Sequence, residues 1–513
     1  MALQIKFTIH VREPVGGGRL ENPGAFPLYY IMNIFARKSI ESAMQGSDDH
    51  GKGMKRSLGA GNLVALGIGA VIGAGLFVRT AEAAGEAAGP AVVVSFIIAA
   101  IGCALAGFCY AEFAAMIPIS GSAYTYTYIT MGEVVAWVIG WLLILEYALG
   151  ASMVSVAWSE YLNSLLGGAI PYQWCHSPFE TSPGGVSGIM NVPSMMILTM
   201  LSLILIKGVK ESATVNAIIV FIKVAIVLVV IVVGWQFVNP TNYVPFVIPE
   251  GTPGHEAWNR HGWFGVLGGA GIVFYAFIGF DGVSTAAQEC RNPRRDMPIG
   301  ILGTLIVCTI LYVLFSRVLT GVANWSEFRV AGKEASVVYV IEKYMHGYEW
   351  LALWVNVAIL AGFSSVILVL LLGQSRVFYT MSRDGLLPSI FSDLHPTFRT
   401  PYKTNIVLLF FACIFGGFIP GSVSGNLTSF GTLFAFAIVC LGIWVLRRKD
   451  PHTHRPFRTP LVPLVPLLGA AVCFTMMISL GKQTIIGALV WLSIGLAIYF
   501  AYGRHRSKLN AKS

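Results

Sequence analysis

Two kinds of group in this chain could do chemistry in an apolar setting. The first is exposed backbone. The stretch Gly69-Ala-Val-Ile-Gly-Ala-Gly-Leu-Phe77 lies inside a long apolar run and holds three glycines in seven positions. Glycine costs roughly 1 kcal/mol against alanine in a helix interior. One reading is close helix packing through small residues. The other is a discontinuous helix whose unwound centre offers N–H and C=O groups to a ligand. A second interrupted run, Gly268-Gly-Ala-Gly-Ile-Val-Phe-Tyr-Ala-Phe-Ile-Gly-Phe-Asp-Gly282, recurs about 200 residues later. Two such breaks at matching positions point to the second reading, with a ligand site at mid-depth.

The second kind is ionisable side chains buried in apolar runs. Each costs at least about 2.5–3.5 kcal/mol at the middle of a bilayer. Lys223 lies in Val215-Asn-Ala-Ile-Ile-Val-Phe-Ile-Lys-Val-Ala-Ile-Val-Leu-Val-Val-Ile231. It is about a dozen residues, roughly 18 Å, from either helix end. That depth argues against snorkelling to an interface. A lysine held there can exchange a proton during a cycle. Glu146, in Trp141-Leu-Leu-Ile-Leu-Glu-Tyr147, either lines the same cavity or is a structural carboxyl; cavity lining is favoured. Asp281 follows the second break, where capping and ligand contact are equally good readings. Ser364-Ser365 is placed to face Lys223, and Tyr124, Tyr126 and Tyr128 read as an interfacial aromatic cluster.

Together these groups suit a zwitterion. The N–H groups of Gly73, Ala74 and Gly75 would start a half-helix, where the dipole favours a carboxylate. The carbonyls of Ala70, Val71, Tyr275, Ala276 and Ile278 would accept from an ammonium group. An α-amino acid supplies both, with its side chain facing the sixth, third and eighth helices. Walker A, HExxH and GxSxG sequences are lacking and the histidines are scattered, so no enzyme, metal site or cofactor is expected.

Composition says what must position these groups. The chain has 513 residues, 55% hydrophobic and 12% charged, too apolar for a soluble protein of this size. A net charge of +9 could suggest nucleic acid, but the basic residues cluster between apolar runs, as in cytoplasmic loops. The eight cysteines include no CxxC pair, and only Cys175 sits in an evident outer loop, so a disulfide framework is not expected.

An apolar helix of about twenty residues crosses a bilayer core of about 30 Å. That ruler predicts an all-α membrane protein of twelve helices, near 60–86, 90–117, 131–163, 191–209, 213–236, 265–286, 298–322, 349–373, 404–420, 425–446, 462–480 and 484–503. One side collects Lys52, Lys55, Arg56, Lys207, Lys210, Arg291, Arg294, Arg295, Arg376, Arg383, Arg399, Lys403, Arg447, Arg448, Lys449, Arg455 and Arg458. The tail adds Arg504, Arg506, Lys508 and Lys512 to that side. The opposite loops hold fewer: Arg79, Arg260, Arg329, Lys333, Lys343 and Lys482. The positive-inside rule then puts both termini in the cytoplasm of a multi-pass cell-membrane protein.

The expected organisation is a cytoplasmic tail over 1–55, a first inverted repeat over 56–240 and a second over 241–448. Two further helices fill 449–503, and a tail closes the chain over 504–513. No cleavable signal peptide is evident; residues 1–31 read as upstream sequence or a loose tail, with a natural start at Met32. The loop at 164–190 lacks lysine and arginine and suits the outer face, and the aromatic, Pro- and Gly-rich loop at 237–264 is expected along the membrane surface.

The motifs Gly69–Phe77, Ile119-Ser-Gly-Ser-Ala-Tyr-Thr-Tyr126, Gly279-Phe-Asp-Gly-Val-Ser-Thr-Ala-Ala287 with Glu289 and Asn292-Pro293, and Gln374-Ser-Arg-Val-Phe-Tyr-Thr-Met-Ser-Arg-Asp-Gly-Leu-Leu-Pro388 carry a resemblance. The chain resembles the amino acid–polyamine–organocation superfamily, and within it bacterial homologues of the cationic amino-acid transporters, from about residue 33 to 505. The resemblance implies a five-plus-five inverted repeat, alternating access and a substrate site on broken first and sixth helices. It makes Tyr275 an aromatic gate. Lys223 matches a lysine that stands where sodium-coupled relatives hold their cation, which implies proton symport. In the eighth helix it puts Phe363 at the side-chain pocket. A bulky apolar residue there disfavours arginine or lysine, so neutral, small to medium L-amino acids are expected. An exchanger, or a carrier of cationic amino acids or polyamines, is the competing expectation, which Glu146 supports. A channel would show charged rings or a polar helix face, and a sensor would need a larger cytoplasmic domain. The expected partners are an L-amino acid, a proton and the bilayer, with no nucleic acid and an undetermined small membrane subunit.

Overall fold

The computed structural model describes residues 35–40, 58–118, 121–182, 184–207, 213–329, 336–398 and 400–509. The expectations for residues 1–31, and for Lys52, Lys55, Arg56, Lys210, Lys333, Arg399 and Lys512, lie outside them. Within the described residues the chain is helical, with isolated bridges but no strand.

Its apolar helices are α1 (Ala60–Val71), α2 (Val92–Met116), α3 (Glu133–Leu165), α4 (Val192–Lys207), α5 (Ala213–Gly234) and α6 (Gly262–Val273). They continue with α7 (Pro293–Val322), α8 (Glu349–Arg383), α9 (Tyr402–Phe418), α10 (Gly421–Lys449), α11 (Leu464–Ser479) and α12 (Lys482–Ile498). Eight segments among the described residues are long and apolar enough to cross a membrane; α1, α4, α9 and α11 are apolar but shorter. α3 packs along α8 and α10, and α2 packs along α7 and α6. Exposed residues such as Phe221, Val232, Ile306 and Phe410 cover the outer helices. A surface this apolar requires a hydrocarbon surround.

Both glycine-rich runs break their helices. α1 stops at Val71, the backbone extends through Ile72 and Gly73, and helix resumes over Ala74–Phe77 and Arg79–Ala83. α6 ends at Val273 and tightens into a 3-10 turn over Phe274–Phe277. The chain then passes through Gly279 at φ +109° and continues as 3-10 helix over Asp281–Glu289. The breaks touch: a Cβ on Gly75 would lie 2.2 Å from the Ala276 Cα. Only glycine allows that approach. The Tyr312 hydroxyl of α7 joins them, its one proton shared between the Val71 carbonyl at 3.1 Å and the Ala276 carbonyl at 2.9 Å.

Two details differ from the sequence reading. Arg79 lies in no loop; it is fully buried in the resumed half of the first helix. Tyr124, Tyr126 and Tyr128 form no interfacial belt but are buried on the short helix Ser122–Thr130. Tyr124 donates to Asp384 at 2.9 Å, Tyr128 donates to Glu133 at 2.8 Å and the Tyr126 ring stacks on Phe113. The 237–264 loop folds onto the first helix, where the His255 Nε2 lies 3.0 Å from the Gly85 carbonyl and Arg260 pairs with Glu86 at 2.9 Å. All eight cysteines are free, and Cys175 is buried beside His176.

Candidate functional site

The two breaks open onto a cavity of about 670 Å³. Its floor is backbone: Gly69, Ala70, Val71, Gly73, Ala74 and Gly75 from the first helix, and Ile278, Gly279 and Gly282 from the sixth. Glu146, Tyr147, Gly150 and Val154 of α3 form one wall, and Val366, Val369 and Leu370 of α8 form another. The cavity runs past Asn62, Tyr124, Glu289, Arg376 and Thr380, toward the end of the bundle that carries the basic loops. At the opposite end Phe77, Phe363 and Tyr161 are buried against one another.

Of the residues singled out from the sequence, Ala70, Val71, Gly73, Ala74, Gly75, Glu146, Tyr275 and Ile278 line this cavity. Ala74 and Gly75 begin a new helical turn, where N–H groups have no partner within the helix. Tyr275 is held from above, its hydroxyl donating to the Gly150 carbonyl at 3.0 Å. Glu146 is 1% exposed, and neither carboxylate oxygen has a hydrogen bond among the described residues. The residue belongs to the cavity lining. Asp281 also lines the cavity, at the first position of its 3-10 helix.

Ala276, Phe363 and Lys223 are not among the lining residues. The Ala276 carbonyl is directed at Tyr312. Phe363 stands behind the wall, its ring 6.3 Å from Phe77 and 5.6 Å from Tyr161. Lys223 is 2% exposed, and its Nζ donates to the Gly69 carbonyl at 2.9 Å. Gly362 of α8 makes room for it, since a Cβ there would lie 2.9 Å from the lysine Cε. The lysine thus grips the last turn before the first break. The Ser364 hydroxyl turns back to the Leu360 carbonyl of its own helix.

Sequence reasoning missed Tyr312 and Arg79. Nothing in the α7 run marks its tyrosine as a bridge between the breaks. Arg79 did leave a signal in Glu82, three residues on, which is its ion-pair partner.

Comparison with known proteins adds to this geometry. A family model described as amino acid permease matches residues 58–501. The chain is 42% identical over 483 residues to the branched-chain amino acid permease BcaP of Bacillus subtilis (strain 168), covering 93% of this chain and 99% of that protein. It is 39% identical to the methylthioribose transporter of the same organism, over 94% of this chain and all of that protein. It is 34% identical to the vacuolar cationic amino acid transporter 4 of Arabidopsis thaliana, over 82% of this chain and 68% of that protein.

Proposed function

The chain belongs to the amino acid permease family, and from that premise we propose that it is a proton-coupled symporter of neutral, small to medium L-amino acids. It works by alternating access through the cavity between the broken helices. Both termini lie in the cytoplasm, and twelve helices span the membrane, the first ten as two inverted repeats. The cavity is the inward-facing route.

The observation that carries the reading is the pair of touching breaks that open onto one cavity. The N–H groups of Gly73, Ala74 and Gly75 take the substrate carboxylate, and the carbonyls of Ala70 and Ile278 take the ammonium group. The side chain lies toward Val366, Val369 and Leu370, with Phe363 as backing. This apolar wall rewards burial of an aliphatic chain and makes desolvation of a cationic head costly. The substrate named for the Bacillus branched-chain permease fits it. Lys223 couples the proton: its bond to the Gly69 carbonyl ties its charge state to the geometry of the first break.

A competition panel tests the substrate class. Uptake of labelled leucine should be displaced by isoleucine, valine and alanine, and little affected by arginine, lysine, putrescine or methylthioribose. Displacement by arginine at the same concentration as isoleucine would assign Glu146 to a cationic side chain instead. Displacement by methylthioribose alone would overturn the zwitterion site.

A further inference from the structure

At the end of the bundle opposite the basic loops, Arg260 pairs with Glu86 and Lys343 pairs with Glu327. Arg317 makes no ion pair among the described residues. It lies on α7, five residues or roughly 8 Å before the helix ends at Val322. Arg317 is exposed, and the same face of α7 exposes Ile306, Ile310 and Leu314. Steps of four, four and three residues put all four on one helical stripe. α5 packs beside α7, and with the turn after it exposes Leu228, Val232 and Trp235 at the same kind of spacing.

The guanidinium is held in place. The turn Pro240–Tyr243 is pinned to the end of α7, where Asn242 Nδ2 donates to the Gly321 carbonyl at 2.9 Å. The Tyr243 hydroxyl donates to the Arg317 carbonyl at 2.8 Å. A Cβ on Gly321 would collide with that hydroxyl, so only glycine lets the ring settle there. The Tyr243 ring then stacks on the guanidinium, its centroid 4.3 Å from Cζ. A ring on one face fixes the plane of the fork and leaves its in-plane N–H donors to other acceptors.

An isolated arginine near a helix end reaches for the membrane surface, where water satisfies it. Here a ring orients the fork, and two apolar stripes run from it into the depth where acyl chains lie. A planar fork matches phosphate oxygens two at a time. We infer that Arg317 and Tyr243 form the headgroup seat of a phospholipid site. The lipid phosphate sits on the guanidinium, and its acyl chains lie along the exposed stripes of α5 and α7.

The test is native mass spectrometry of the full-length protein in detergent with phosphatidylglycerol added. One lipid per protein should be retained, and Arg317→Gln should lower the retained fraction about tenfold, the factor that one hydrogen bond to a charged group is worth. Arg317→Lys keeps the charge without the fork or the stack, and should retain less lipid than the parent. Lys482→Gln, which removes another exposed cation at the same end, should retain as much as the parent. Full retention by Arg317→Gln would overturn the site. Equal losses in Arg317→Gln and Lys482→Gln would overturn it too, by showing general charge attraction. Release of the lipid by inorganic phosphate would replace it with a seat for a free anion.

Discussion

Gly75 meets the backbone of Ala276 so closely that no side chain fits between them. Alanine there must push the two breaks apart, and forced overpacking of this kind costs about 1–3 kcal/mol. Because those breaks form the floor of the cavity, Gly75→Ala should lower leucine affinity sharply while the purified protein stays monodisperse. Unchanged affinity in a binding titration would show that contact between the breaks does not shape the site. The glycines were readable in sequence because their helix cost has no use without a break or a close approach. Lys223 was readable from its depth. Phe363 was less so: one turn of helix separates a wall residue from its backing, and Val366 and Leu370, not Phe363, reach the cavity. Tyr312 was not readable, since its two acceptors lie on other helices.

At the scale of elements, burial of charge holds the basic end together. Glu112, fully buried at the end of α2, accepts from Arg447 of α10 at 3.1 and 2.7 Å and from the Thr459 amide at 2.7 Å. Arg455 pairs with it at 3.3 Å. Removing one partner of a buried pair typically costs about 3–5 kcal/mol, and the partial exposure of Arg447 places Glu112→Ala near the lower end. Its melting temperature in detergent should fall by several degrees, and Glu112→Gln should fall less. A melting curve equal to the parent's would mean that the α2–α10 contact stands on apolar packing alone. Hydropathy located these helices but not the clamp, because sequence shows that Arg447 lies at a helix end and not which carboxylate it meets. The buried tyrosines of Ser122–Thr130 were misread for the same reason: aromatic clustering marks an interface only when no polar partner, such as Asp384 or Glu133, lies across the fold.

At the scale of the whole molecule, a cavity among the described residues leads toward the basic end, while Phe77, Phe363 and Tyr161 pack the opposite end. In the proposed cycle a proton gradient drives an amino acid through this cavity. The most direct measurement is uptake of labelled leucine by purified protein in liposomes with an imposed inward proton gradient, with Lys223→Ala alongside. We expect accumulation that an uncoupler abolishes, and a Lys223→Ala variant that loses accumulation but still exchanges leucine across the membrane. Uptake that requires preloaded amino acid and ignores the gradient would contradict it, making the protein an exchanger and Lys223 a structural brace for the first break.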